Sequence, residues 1–138
     1  MPDNFYFDTS IWLDFFENRN EPNFPKSDRA KALIAKIIEN KDIIIVSEAV
    51  KNELVGFGFS KYDIDSLFFP LQKVVFFVYS TKKQFGKAKD LSKKRNIPLF
   101  DALHALIARD NNALMITYDK HFDDLLDISR YKKPEEII

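Results

Sequence analysis

The sequence contains no cysteine and only three glycines among its 138 residues. Without cysteine, disulfides, thiol catalysis and thiolate zinc sites are excluded, so any metal must be bound by oxygen or imidazole ligands. The glycines, Gly56, Gly58 and Gly86, form neither a G-x-G-x-x-G nor a G-x-x-x-x-G-K-[ST] pattern. The loops that cradle dinucleotides and nucleoside triphosphates are therefore excluded as well.

The chain also lacks an apolar run of the roughly 20 residues that a membrane-spanning helix requires. Its first residues, MPDNFYF, include no basic stretch followed by an apolar segment, so we expect a cytoplasmic protein with no membrane partner. Basic and acidic residues balance at 21 each, so the overall charge does not favour nucleic acid. Apolar periodicity continues without a linker, and we therefore predict one domain over residues 1–138.

Short β-branched and aromatic runs alternate with helical patterns along the chain. This alternation predicts a three-layer α/β/α fold with a short, mainly parallel central sheet. The final SRYKKPEEII fits either an edge strand or a terminal turn, so we expect four or five strands. The predicted strands are 5–7, 43–46, 74–79 and 113–117, and the predicted helices begin near residue 9 and cover about 30–38, 47–56, 61–69, 81–95 and 99–111.

Two aspartates follow predicted strands, where such a fold gathers function. Asp8 comes after the first strand and Asp119 after the fourth. The carboxyl ends of parallel strands border the crevice in which open α/β sheets bind ligands. An aspartate between a strand and a helix is also a common helix N-cap, so each position alone has a structural explanation.

Two further acids lie in predicted helices. The helix around Asp101, LFDALHALIA, is apolar nearly all round, which predicts burial of the carboxylate. A buried carboxylate must be protonated, paired or bound to a metal; partial solvation at a helix N-terminus is the alternative explanation. Glu53 lies at the edge of an apolar helix face, where an ion pair with Lys51 or Lys61 would also explain it.

Four segments of the chain resemble, in order and spacing, the PIN-domain ribonucleases, in particular the VapC-type toxins of toxin–antitoxin systems. They are FYFDTSIWLDFF, VSEAVKNEL, IPLFDALHALIA and LMITYDKHF, and the resemblance extends over nearly the whole chain. The resemblance implies a PIN-like fold and an acidic site with supporting hydroxyl groups. Tyr118 stands where an arginine is common in the family, which removes one phosphate contact. The implied catalytic and metal-binding acids are Asp8, Glu53, Asp101 and Asp119, and the implied supporting residues are Thr9, Ser10 and Thr117.

The activity implied by the resemblance is metal-dependent hydrolysis of RNA phosphodiester bonds by an endoribonuclease toxin. Carboxylates and water suit hard divalent ions, so we expect Mg²⁺ or Mn²⁺ as the cofactor. Three of the acids, Asp8, Asp101 and Asp119, would bind metal. Glu53 would be a further ligand or the group that orients the attacking water.

Two histidines raise zinc as a rival metal, because they are close in sequence to the aspartates. His104 follows Asp101 by three residues, about 60° around a helix, so both side chains could face one site. A buried, hydrogen-bonded histidine is the alternative for His104, and we expect His121 on a solvated turn.

The segment 82–95 contains seven basic residues and one acid. Such a stripe can contact RNA phosphates without reading sequence, and a solvated helix face is the alternative. The candidate RNA-binding residues are Lys82, Lys83, Lys87, Lys94 and Arg95.

Fourteen phenylalanines are many for this length, and adjacent pairs such as Phe76-Phe77 cannot all point inward. We expect some of this aromatic surface to be shared in a homodimer or with an antitoxin protein, the partner that the resemblance implies.

Two other functions remain open at this point. The first is a PIN-like RNA-binding or scaffold domain without catalytic activity, which the intact set of acids disfavours. The second is a receiver-type phosphoacceptor domain, which requires an aspartate at the end of a central strand and a lysine at the end of the last one. The chain instead has Ser47 and Ser80 after the second and third predicted strands, and Thr117-Tyr118 at the end of the fourth. These residues disfavour the receiver-type domain.

Overall fold

The computed structural model describes residues 3–138 and has a five-stranded sheet at its centre. The strands are β1 (Asn4–Phe7), β2 (Ile43–Ser47), β3 (Val75–Val78), β4 (Leu114–Ile116) and β5 (Tyr131–Lys132). They form one sheet in the order β3-β2-β1-β4-β5, and every neighbouring pair is parallel. The predicted fold class is therefore confirmed, with five strands. The carboxyl-terminal segment forms an edge strand and then a 3₁₀ turn, which combines the two expectations for it.

Helices connect the first four strands, as parallel pairing requires. Local sequence explains several of their ends. Ser47 accepts a hydrogen bond from the backbone N–H of Val50, and Thr81 and Gln84 form the predicted capping box. The α-helices are α1 (Thr9–Phe16), α2 (Lys26–Glu39), α3 (Glu48–Gly56), α4 (Lys61–Phe68), α5 (Lys82–Arg95) and α6 (Leu99–Asp110), and 3₁₀ segments cover Phe69–Leu71, Lys120–Leu125 and Pro134–Glu136.

Adjacent residues of β1 show how the helices cover both faces of the sheet. Successive side chains of a strand point to opposite faces. Phe7 packs against Trp12 of α1, with ring centroids 5.0 Å apart, and Trp12 in turn contacts Phe68 of α4. Tyr6 instead contacts His104 of α6. One layer of helices therefore lies on each face of the central strand.

The strand order reverses direction between β1 and β4. The chain proceeds outward from β1 to β2 and β3, and then returns to the other side of β1 to form β4 and β5. Such a switch point leaves a crevice beyond the carboxyl ends of the two central strands, and this crevice is the usual ligand site of open α/β sheets. Asp8 follows β1 and Thr117 follows β4, so the fold brings the ends of both segments to this crevice.

No helix within residues 3–138 has both the length and the apolar character needed to cross a membrane.

Candidate metal centre

Asp8 is held at the switch point by both central strands. Its backbone N–H donates to the carbonyl of Ile116, the last residue of β4. Its carboxylate oxygen Oδ2 accepts hydrogen bonds from Ser10 Oγ and Thr117 Oγ1, each 3.0 Å long. Asp8 occupies the N-cap position of α1, but its side chain makes no capping hydrogen bond. Helix capping therefore does not explain this aspartate.

Glu53 approaches from α3 and is fixed by two side chains from other elements. Thr9 Oγ1 donates to Glu53 Oε1 at 2.8 Å, and Nε2 of His104 contacts the same oxygen. Within residues 3–138 it forms no ion pair with Lys51 or Lys61, so the surface ion pair considered for it is absent. Burial raises the pKa of Glu53, but the hydrogen bonds from His104 and Thr9 outweigh it and leave the pKa below its ordinary value.

Hydrogen bonds connect Glu53, through His104, to Tyr6 and Ser47. The hydroxyl of Tyr6 lies 2.6 Å from Ser47 Oγ and 2.6 Å from His104 Nδ1, and these three residues are fully buried. A carboxylate only accepts hydrogen bonds, so Nε2 of His104 carries the proton that faces Glu53. In the neutral ring Nδ1 then accepts from Tyr6. Burial raises the pKa of Tyr6 well above 10, which keeps the phenol protonated. The Glu53 group is defined here as Glu53, Thr9, His104, Tyr6 and Ser47.

His104 itself is a buried base next to several acids. Burial lowers its pKa, but the hydrogen bond to Glu53 and the negative charges of Asp8, Glu53 and Asp101 raise it more, so that the pKa lies above its ordinary value. Both ring nitrogens already have partners, in Tyr6 and Glu53. The alternative of a satisfied, buried histidine is therefore the one found, and His104 is not free to bind zinc.

Asp101 is the least satisfied of the four acids. It lies in the first turn of α6, and its oxygen Oδ2 is buried without a hydrogen-bond partner among residues 3–138. Burial raises its pKa to about 6, with further contributions from the charges of Asp119 and Asp8. The Asp101 side chain keeps 16% of its surface exposed, so partial solvation at the helix N-terminus accounts for one part of this carboxylate but not for the buried Oδ2. A cation bound between these aspartates would relieve both the burial and the repulsion.

Asp119 and His121 lie beside Asp101. The backbone N–H of His121 donates to Asp119 Oδ1 at 2.8 Å, so this aspartate does cap the 3₁₀ segment that follows it. His121 Nδ1 lies 3.3 Å from Asp119 Oδ1 and 3.7 Å from Asp101 Oδ2. One ligand atom from each residue lies within 4.8 Å of the other two. We refer to Asp101, Asp119 and His121 as the Asp101 group.

Thr117 connects these parts of the site. Its hydroxyl donates to Asp8 and accepts the backbone N–H of Asp119, both at 3.0 Å. The three aspartates also influence one another electrostatically, because the charges of Asp8 and Asp119 raise the pKa of Asp101. Asp8 and Glu53 are not in the compact set of ligand atoms formed by the Asp101 group.

The donor set fits a divalent cation. Carboxylate oxygens of Asp101 and Asp119 lie close together, and Asp8 is near enough for its charge to raise the pKa of Asp101, whose Oδ2 is buried without a hydrogen-bond partner among residues 3–138. Hard divalent ions take such oxygen ligands together with water. Asp8, Asp101 and Asp119 are the residues that would hold the ion, and Glu53 stands beside them with Oε1 already bound by protein donors.

Sequence reasoning missed three features of this site. Tyr6 was taken only as part of a strand, and its contact with His104 joins residues 98 positions apart. The partner of Glu53 was sought among neighbouring lysines rather than on α6. His121 is exposed, as expected, with 63% of its side-chain surface accessible, but it also contacts two of the acids. The D-x-H spacing of Asp119 and His121 was the one available signal.

Of the basic residues predicted to bind RNA, Arg95 contacts another part of the molecule, and two lysines line a cavity. Arg95 forms a two-pronged ion pair with Asp127 at 2.8 and 2.9 Å and donates to the carbonyl of Asp124. Lys83 and Lys87 line a cavity beside Asp110, at the opposite end of α6 from Asp101.

The parallel α/β/α sheet and the acids at its switch point define an α/β domain with a carboxylate centre suited to divalent cations. A sequence profile of the PIN domain family matches residues 5–126, and the chain belongs to this family. No curated protein matches the chain.

Solved structures share the fold over almost their whole length. The chain is similar to a chain of VapBC2 from Rickettsia felis bound to a DNA fragment from their promoter (TM-score 0.67, 17% identity, 94% of this chain and 98% of that one). It is also similar to a chain of VapBC-1 from nontypeable Haemophilus influenzae (TM-score 0.66, 23% identity, 96% and 98%). A third is in a toxin-antitoxin complex from Klebsiella pneumoniae (TM-score 0.62, 18% identity, 94% and 97%).

Proposed function

We propose that the protein is a metal-dependent endoribonuclease and the toxin of a toxin–antitoxin pair. The observation that carries the proposal is the buried Oδ2 of Asp101, which has no hydrogen-bond partner among residues 3–138 and lies near the charges of Asp119 and Asp8, an arrangement that a bound cation would stabilise. Membership of the PIN domain family supports nuclease activity. The toxin role is supported by the fold shared with chains of toxin–antitoxin complexes.

Each acid has a role in this proposal. Asp8, Asp101 and Asp119 would hold Mg²⁺ or Mn²⁺, and such an ion would supply a more acidic water and charge stabilisation for the departing oxygen. Glu53 is either a further ligand or the group that orients the attacking water. Its low pKa keeps it ionised at neutral pH, and its contacts with Thr9 and His104 both use Oε1. The oxygen that we assign to the water is Oε2.

The hydroxyl groups orient the acids. Ser10 and Thr117 donate to Asp8, and Thr9 donates to Glu53. Each donor fixes a carboxylate rotamer before an ion arrives, which reduces the ordering needed on binding.

RNA phosphates provide the proposed partners of the basic helix. We retain Lys82, Lys83, Lys87, Lys94 and Arg95 as candidate contacts, because α5 concentrates positive charge in a protein of zero net charge. Arg95 is committed to Asp127, so we assign it the smallest share of binding. We expect RNA affinity to fall as salt is added. The fall should be less steep when Lys83 and Lys87 are both replaced by Gln.

A protein partner is proposed for the aromatic surface, which we define as the exposed aromatic side chains of residues 57–79, found on both sides of the sheet edge: Phe57, Tyr62, Phe69, Phe76, Phe77 and Tyr79. β3 is an edge strand, and 61% of Phe76 and 84% of Tyr79 are exposed. Exposed aromatic surface of this kind marks interaction sites. We propose that two copies of the chain form a homodimer through this aromatic surface. An antitoxin protein is the second proposed partner. Sedimentation measures the mass of the wild type and of Phe76→Asp. A wild-type dimer and a monomeric Phe76→Asp would support the homodimer, and a wild-type monomer at all concentrations would refute it.

The test of the activity is incubation of the purified protein with structured RNAs and Mg²⁺ or Mn²⁺. We expect cleavage that EDTA stops and that Asp101→Asn reduces by roughly 100-fold or more, the scale for loss of one charge-stabilising group. Asp65→Asn is the matched control, since this acid is exposed on α4. Retained cleavage in Asp101→Asn would contradict the proposal. RNA binding without any cleavage would favour the PIN-like RNA-binding or scaffold domain instead.

A further inference from the structure

We infer that His121 is a ligand of the metal centre and that it makes the centre take a first-row transition-metal ion in preference to Mg²⁺. The inference rests on the proposed metal centre and names an imidazole ligand that the four-acid set does not contain. Its basis is the geometry of the Asp101 group, in which one nitrogen and two carboxylate oxygens converge.

The separations within the Asp101 group suit a shared ion. Ligand atoms each ~2.1 Å from one ion lie ~3.0 Å apart at neighbouring octahedral positions and ~3.4 Å apart in a tetrahedron. His121 Nδ1 is 3.3 Å from Asp119 Oδ1 and 3.7 Å from Asp101 Oδ2. All three ligand atoms lie within 4.8 Å of one another, so small side-chain movements bring them to a common ion.

Asp101 supplies the independent reason for placing an ion here. Its Oδ2, the oxygen nearest His121 Nδ1, is buried and has no hydrogen-bond partner among residues 3–138. The 3.7 Å between these atoms is too long for a hydrogen bond. The histidine therefore does not satisfy this oxygen directly, whereas an ion between them would.

The backbone fixes His121 in this position, and its surroundings leave the ring available. Its N–H donates to Asp119 Oδ1, which ties the residue to one of the two other ligands. Most of its side chain is exposed, so an ion can enter from solvent. His104, the other histidine of the chain, has both nitrogens occupied by Tyr6 and Glu53 and is fully buried.

The identity of the ligands determines the preference among metals. Mg²⁺ takes oxygen ligands and retains much of its water, whereas imidazole suits transition-metal ions. Mn²⁺ binds most weakly of the first-row divalent series, so it is the most demanding probe of the preference. An all-carboxylate centre would distinguish Mn²⁺ from Mg²⁺ much less than a centre with one imidazole.

The experiment compares wild type, His121→Ala and the control Lys120→Ala, which changes an exposed neighbour in the same 3₁₀ segment. Calorimetry gives the affinities for Mn²⁺ and Mg²⁺, and pulsed electron paramagnetic resonance of the Mn²⁺-loaded protein detects coordinated nitrogen. We expect a nitrogen coupling in wild type and Lys120→Ala that is lost in His121→Ala. Mn²⁺ affinity should fall about 10-fold or more in His121→Ala, with Mg²⁺ affinity changed less than about 3-fold.

The outcomes separate this inference from the proposed function. Metal binding and RNA cleavage without nitrogen coupling, and with equal Mn²⁺ affinity in wild type and His121→Ala, would overturn the role of His121 alone. A coupling that persists in His121→Ala would overturn it as well, because the nitrogen would belong to another residue. Absence of any metal binding to the wild type would overturn both the inference and the proposed function.

Discussion

The Glu53 group and the Asp101 group lie in one acidic crevice but are stabilised in different ways. In the Glu53 group every buried polar atom of Tyr6, Ser47 and His104 has a partner within the protein. In the Asp101 group a buried carboxylate oxygen has none, and the charges of two other aspartates oppose its ionisation. The protein thus pairs the buried polar atoms of one half of the site by itself, whereas a bound cation would stabilise the other half.

This difference assigns separate tasks to the two groups. A carboxylate held by a rigid network keeps its position whether or not an ion is present, which suits a residue that orients water. Carboxylates that repel one another gain most from binding a cation, which suits metal ligands. Substitutions in the Glu53 group should therefore mainly change the stability of the folded state. Substitutions in the Asp101 group should mainly change the affinity for metal.

The largest effect on stability is expected for His104→Ala. The substitution leaves a cavity and removes the partner of both Tyr6 and Glu53, so we expect a loss of about 3 kcal/mol in the free energy of unfolding. Urea denaturation in EDTA measures it. His104→Gln, which retains a donor and an acceptor, should lose less. A loss below about 1 kcal/mol for His104→Ala would mean that the network adds little to stability.

In the metal-free protein, Asp101→Asn should raise the free energy of unfolding, whereas His104→Ala lowers it. The folded-state pKa of Asp101 is raised from 3.8 to about 6, so ionisation disfavours the folded state. The penalty is absent below the unfolded value, grows as pH rises, and is complete above about pH 6. We expect Asp101→Asn to be more stable than wild type by roughly 1–2 kcal/mol near pH 7.5, after allowance for partial screening.

The measurement is urea unfolding of both proteins in EDTA at about pH 4 and about pH 7.5. The gain in stability should disappear at the lower pH, where the folded wild type is itself protonated at Asp101. Equal stability at both pH values, or a less stable Asp101→Asn at neutral pH, would show that this carboxylate is not strained in the folded state. Asp65→Asn again serves as the control, because this aspartate is exposed.

Tyr6→Phe is expected to destabilise the protein less than His104→Ala does. The change removes one hydroxyl that links Ser47 to His104, so the free energy of unfolding should fall by about 1–2 kcal/mol. Because Glu53 retains Thr9 and His104, Mn²⁺ affinity should remain within about 3-fold of wild type. Calorimetry checks the affinity. A larger loss of metal affinity than of stability would contradict the separation of the two groups.

The sequence predicted the elements that depend on local patterns. Short aromatic, β-branched or apolar runs marked β1 to β4, and the capping box at Thr81 and Gln84 marked the start of α5. α2 begins at Lys26, just after Pro25, earlier than its apolar repeat suggested. β5 has only two residues, too few for a pattern to separate it from a turn. The exposure of Phe76 and Phe77 follows from the position of β3 at the sheet edge, which periodicity alone does not reveal.

The sequence predicts the positions of site residues that follow strand ends. It does not predict the contacts that form where two helices meet. Asp8 and Asp119 follow central strands, so the topology brings both to the crevice. The contact between Glu53 and His104 joins α3 to α6, and no local signal marks such a pairing. His121 illustrates a second limit, because an exposed turn residue is placed next to acids only when the whole sheet has formed.

We propose that the Asp101 group holds a divalent cation, and the most direct test is calorimetric titration of Mn²⁺ into wild type and Asp101→Asn near neutral pH. We expect saturable binding to wild type and to Asp65→Asn, with a loss of roughly 100-fold or more in affinity for Asp101→Asn. Equal Mn²⁺ affinity in wild type and Asp101→Asn would contradict it.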